Sequence, residues 1–239
     1  MRIYTSNATY TTRGEITGEL TIVCGHYGSG KTNFAINLAI DAARNGKNVT
    51  LVDMDVVNPY FTSSEYSEIL KKNNVKLISP TFAGTNTDLP ALPASMSSVF
   101  EMNGDAIIDA GGDDVGATVL GRFADKIAGK KYRMLYVTNM YRPLTSDPKD
   151  SAIMLKDIES ACRLKAAAVV NNSHLKGMTT ASVITGSLAY AKEVARLTKI
   201  PLLYSTAPRQ LIKELPANEY FYPVDVYVRT AWEIEEQIR

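Results

Sequence analysis

Residues Gly25-His26-Tyr27-Gly28-Ser29-Gly30-Lys31-Thr32 follow the pattern G-x-x-x-x-G-K-[ST] and stand between an apolar run, Leu20–Cys24, and a helical stretch, Asn33–Asn45. A glycine-rich turn that leaves a strand and enters a helix aims backbone N–H groups and the positive end of the helix dipole at one point, which makes a cradle for phosphate. Strand, turn and helix in this order open a βαβ unit, so the motif constrains the fold around it as well as the ligand.

The rest of the chain continues that pattern. Short apolar or β-branched runs predict strands at Leu20–Cys24, Val49–Asp53, Val75–Ile78, Ala106–Asp109, Arg133–Thr138, Ala166–Val170 and Leu202–Ser205, with an edge strand at Val224–Val228. Helical patterns separate them. Gly46 closes the first, Thr62 and Glu65 form a capping box for a helix through Lys72, and Asp113 or Asp114 caps a helix through Ala128. Asp147-Pro148 opens a helix to about Leu164, and Thr179 or Thr180 opens another to about Thr198. Strands alternating with helices predict an α/β protein with a mostly parallel sheet flanked by helices. Ser79–Ser95, with its three prolines, reads as a long loop, and residues 1–18 as an arm or hairpin before a single domain spanning 19–239.

Composition narrows the function classes. With 26 basic against 25 acidic residues and no block of like charge, nothing marks a nucleic-acid stripe or an anionic-membrane patch. No apolar run reaches 18 residues and the first residues are polar, so a cytoplasmic protein is expected. Cys24 and Cys162 are far apart and read as small buried hydrophobes, and two histidines are too few for a histidine-rich metal site.

Within the motif, Lys31 would bridge the β- and γ-phosphates of ATP and the Thr32 hydroxyl would bind Mg²⁺. Gly25, His26, Tyr27, Gly28, Ser29, Gly30 and Asn33 complete the cradle. The second predicted strand ends in Asp53-Met54-Asp55, followed by Asn58-Pro59-Tyr60. Ligands of parallel sheets bind outside the carboxyl ends of the strands, so one carboxylate would assist Mg²⁺ and the other would orient or activate water. The fourth strand ends in Asp109-Ala110-Gly111-Gly112, with Asp109 on the metal side and a glycine N–H placed to sense the γ-phosphate. Asn171-Asn172 ends the sixth strand, where an amide could read the adenine edge or serve a turn. Arg142, after the fifth strand, could touch phosphate, directly or across a dimer, or simply be solvated.

Taken together, GHYGSGKT, NFAINLA, VTLVDMDVVNPYF, IIDAGGDD and AAVVNN resemble the MinD/ParA/CbiA class (SIMIBI class) of phosphate-loop NTPases, a class that includes the nitrogenase iron protein and metallocofactor-maturation ATPases. The resemblance runs from about Glu19 to Ser205. It implies a three-layer P-loop NTPase fold with about seven to eight strands. It also implies Asp55 as the water-orienting residue, with Lys31 and Asp53 beside it in catalysis, Thr32, Asp53 and Asp109 on Mg²⁺, and Asn171 on adenine. The departure is His26, where that class carries a lysine that reaches a dimer partner's phosphates. A histidine is shorter and mostly neutral at pH 7. The expectation is a Mg²⁺-dependent, slowly hydrolysing ATP switch acting on a protein partner, in metallocofactor maturation or positioning, with a homodimer open to it and no nucleic acid or membrane as partner. The alternative is an enzyme of the CbiA/dethiobiotin-synthetase branch that activates a small-molecule carboxylate with ATP.

Overall fold

A computed structural model describes residues 20–55, 64–79, 99–101, 104–112, 114–217 and 219–228. The arm at 1–18, the capping pair Thr62 and Glu65, Asn58–Tyr60, the capping residues Asp113 and Asp114, and all but the first residue of the Ser79–Ser95 loop lie outside what is described of backbone or side chain.

Eight strands form one sheet: β1 (Leu20–Cys24), β2 (Val49–Met54), β3 (Val75–Ile78), β4 (Asp105–Ala110), β5 (Tyr132–Thr138), β6 (Ala166–Asn171), β7 (Leu202–Pro208) and β8 (Phe221–Val224). Their order is β3-β2-β4-β1-β5-β6-β7-β8, and every pairing is parallel. All carboxyl ends therefore share one edge. The helices are α1 (Lys31–Arg44), α2 (Ser64–Lys72), α3 (Asp114–Gly121), α4 (Ala124–Ala128), α5 (Pro148–Cys162), α6 (Ala181–Gly186) and α7 (Leu188–Thr198).

Alternation along the strands sorts the core into two layers. Ile22, Ile108, Met134 and Tyr136 face one side, where Leu120, Ile127, Leu155, Ile158 and Val194 of α3, α4, α5 and α7 cover them. Val23, Ile107, Leu135 and Val137 face the other, under Phe34, Leu38, Tyr66 and Leu70 of α1 and α2. Burial on both faces explains why β1 reads as an unbroken apolar run. Three layers result, as the resemblance implies. No helix among the described residues is long and apolar enough to cross a membrane.

Among the boundaries that differ from the sequence expectation, three have a clear local reason. The edge strand is Phe221–Val224 rather than Val224–Val228. Tyr222 stacks on Tyr204 at 5.1 Å and meets Phe34 edge-on at 5.8 Å, and Pro223 is tolerated because β8 is an edge. Beyond it the chain leaves the sheet, because the N–H groups of Asp225 and Tyr227 donate to Asn37 and Asn33 of α1. The helix opened by Thr180 breaks at Ser187, whose side chain turns inward and is fully buried. The helix expected through Ala128 breaks after Gly121, which packs against the end of α5 and gives its carbonyl to the Arg163 guanidinium at 2.6 Å. By contrast Asp147 caps α5 as expected, accepting from Lys149 N at 2.7 Å with Pro148 behind it.

Candidate functional site: a phosphate loop at the carboxyl edge

The loop leaves β1 at Gly25, where φ is 148° and a Cβ would fall 2.1 Å from the Val137 carbonyl oxygen, so only glycine clears β5. Ser29 N donates back to the His26 carbonyl at 3.1 Å, which closes the turn. Gly30 takes the position before α1 with φ 84°, and no side chain caps the helix and no acid stands in its first turn. The first-turn N–H groups are therefore left for an anion. Lys31 is 5% exposed.

Asp53 and Asp109 are direct register partners on β2 and β4. Like charges placed opposite each other are unfavourable, and Asp53 shows it. Asp53 is pushed up to about 7, first by burial and then by the Asp109 charge. Asp109 is pushed up to about 6 by burial, against the opposing pull of Lys31 and a hydrogen bond from the Thr32 hydroxyl. Its Oδ1 is buried without a hydrogen-bond partner. Two crowded carboxylates, one of them with an orphaned buried oxygen, and a threonine hydroxyl form a hard oxygen set that fits Mg²⁺, which prefers a few protein oxygens supplemented by water and phosphate. Asp55 N donates to Asp53 Oδ1 at 3.0 Å, and this tight turn brings Asp55 back toward the segment after β4, its Oδ1 3.5 Å from where a Gly111 Cβ would stand.

That segment lies directly against the loop. A Cβ on Gly112 would come within 2.7 Å of both Lys31 Nζ and Tyr27 N, and Gly111 packs Cα-close against Gly116 of α3. Gly116 belongs to this arrangement although its sequence context gave no sign of it.

The two asparagines are engaged differently. Asn171 is buried, with Nδ2 donating to the Ser187 and Ser205 hydroxyls at 2.9 Å each and Oδ1 accepting from Ser173 at 2.6 Å. Both amide hydrogens are committed inside the protein, so its geometry does not support the adenine contact that the resemblance implies. Asn172 Nδ2 donates to the Ser29 carbonyl at 2.6 Å, and its Oδ1 accepts from Thr206. One of its amide hydrogens goes to the loop and leaves a second for a base nitrogen. His26 turns back on its own loop, Nδ1 donating to the Tyr27 carbonyl at 2.8 Å. Cys24 is buried, which pushes its thiol well above the usual range and leaves it inert.

The family model described as the CobQ/CobB/MinD/ParA nucleotide binding domain (CbiA) matches residues 20–200. The chain belongs to this family. For a CbiA-family domain, the site stands where the carboxyl ends of β1, β2 and β4 meet. Among solved structures the fold is similar to FtsY from Mycoplasma mycoides (TM-score 0.55, 19% identity, 79% of this chain and 60% of that one). It is also similar to chloroplast FtsY from Physcomitrella patens (0.53, 13%, 78% and 57%). A third is the signal recognition particle 54 kDa protein from Aeropyrum pernix in complex with GDP (0.50, 13%, 79% and 41%). These likenesses are of fold, and the CbiA-family chain spans less than two thirds of each of those chains. Among curated proteins no sequence matches significantly.

Proposed function

We propose that this CbiA-family protein is a Mg²⁺-dependent ATP-binding switch that hydrolyses slowly and acts on a protein partner, in metallocofactor maturation or positioning. The observation that carries the reading is Gly112 against Lys31 and Tyr27. A γ-phosphate seated at Lys31 meets this segment first, so the segment registers triphosphate against diphosphate.

The residues divide the work. Loop N–H groups and the start of α1 hold the phosphate oxygens, and Lys31 bridges β and γ. Thr32, Asp53 and Asp109 would hold Mg²⁺, which supplies charge neutralisation at those oxygens. Asp55, placed beside Gly111, orients the attacking water. Adenine rather than guanine is favoured because Asn171–His174 and Ser205–Gln210 carry no carboxylate to accept guanine's N1 and N2 hydrogens, while the Asn172 amide suits the N6/N7 edge of adenine.

Mg²⁺-dependent ATP binding by Lys31→Ala against wild type tests the site, and equal affinities would overturn it. Asp55→Ala should bind ATP but release phosphate much more slowly, and that trapped form suits affinity capture of the partner. Phosphate release accelerated by a carboxylate metabolite instead of a protein would favour the synthetase-like alternative.

A further inference from the structure

The loop after β5 carries a cation that the site as described does not use. Arg142 Nε donates to the Gly28 carbonyl at 2.7 Å, across 114 positions of sequence. Gly28 has φ 76°, and a Cβ there would sit 3.3 Å from Arg142 Nε and 3.6 Å from its Cδ and Cζ. The motif demands glycine only at its first and sixth positions. The glycine at position 28 is required by its φ, and its missing side chain also leaves room for this arginine.

The segment that presents Arg142 is built to hold it still. The Asn139 carbonyl accepts from Arg142 N at 3.2 Å and from the Thr145 hydroxyl at 2.8 Å, while Thr145 N returns to the Arg142 carbonyl at 3.0 Å. Met140 N donates to Ser173 Oγ at 2.9 Å, and the Tyr141 hydroxyl donates to the Val183 carbonyl at 2.8 Å. Pro143, the next residue, fixes its own φ at the start of a short 3₁₀ turn. An arginine that is merely solvated needs none of these restraints.

We propose that Arg142 is a positioning residue of the phosphate site, acting in cis: it fixes the Gly28 carbonyl and sets a guanidinium against the loop apex. A peptide plane held at its carbonyl cannot flip, so the N–H on its other side keeps its direction too. The donors of a guanidinium form a fixed planar fork, so a bond made through one of them also fixes where the others lie. The inference rests on the reading of Gly25–Thr32 as a nucleotide phosphate site.

The test compares dissociation constants for ATP and ADP in wild type, Arg142→Gln, Arg142→Lys, Arg142→Ala and Lys31→Ala, with the unfolding midpoint of each protein measured without nucleotide. Arg142→Gln should weaken both nucleotides about tenfold, the scale of one lost charge-assisted hydrogen bond. Arg142→Lys, which keeps the charge and the fold, should lose less. Free guanidinium, below denaturing concentration, should restore binding to Arg142→Ala and do nothing for Lys31→Ala. Wild-type affinity in Arg142→Gln, or a loss in Arg142→Ala that guanidinium leaves unchanged, overturns the assignment while the Lys31 result stands. Wild type and Lys31→Ala that both fail to bind nucleotide would instead overturn the phosphate-site reading beneath it.

Discussion

Asn171 and Asn172 are chemically identical neighbours whose substitution should have separable consequences. Removing Asn171 leaves Ser173, Ser187 and Ser205 buried without their shared partner. Asn171→Ala is therefore expected to cost about 1–3 kcal/mol in urea unfolding, with little change in nucleotide affinity per folded molecule. Removing Asn172 frees the Ser29 carbonyl, so Asn172→Ala should weaken ATP in calorimetry by more than its loss of stability explains. Sequence alone marks Lys31, Thr32, Asp53 and Asp109, because motif spacing and strand ends put those side chains at one edge. It offers Arg142 and Asn172 as contacts for phosphate and adenine, but not their bonds to backbone carbonyls 114 and 143 positions away. A carbonyl is present at every residue, so nothing in the receiving sequence advertises the bond.

At the scale of elements, α1 is the hub: it follows the loop, covers the sheet and anchors the segment after β8. Asn37 donates to the Asp225 carbonyl at 2.9 Å and accepts from Asp225 N at 2.8 Å, while Asn33 donates to the same carbonyl at 3.0 Å. Asn37→Ala should destabilise the protein by about 1–3 kcal/mol and speed amide exchange of Asp225 and Tyr227 well before that of β7. The central strands were legible because a sheet buried on both faces demands continuous apolar runs, and β1 occupies the residues expected of it; β3, at the edge, does so too although Lys76 is exposed. Helix breaks were not. Ser187 is unremarkable in a helical pattern; its hydroxyl accepts from the Asn171 amide at 2.9 Å and donates to the Ile184 carbonyl at 2.7 Å, and the first of these bonds comes from a strand far away in sequence. The edge strand was displaced for a similar reason, since Val224–Val228 has strand propensity but its backbone N–H groups find better acceptors on α1.

For the whole molecule, the site joins elements from most of the chain, so occupancy should be felt as global stability. Mg²⁺ and ATP at about a hundred times the dissociation constant are expected to add about 2.7 kcal/mol, read as a rise in unfolding midpoint that Lys31→Ala abolishes. The strand order has a further consequence, in time rather than space. β1 sits in the middle of the sheet, and its partners are residues 106–109 and 132–136. The carbonyls of Gly28 and Ser29 wait for Arg142 and Asn172. During synthesis at roughly 5–20 residues per second, the phosphate loop therefore emerges early but stays unbraced for on the order of ten seconds. A nascent chain halted before residue 172 would carry the whole motif and lack the site.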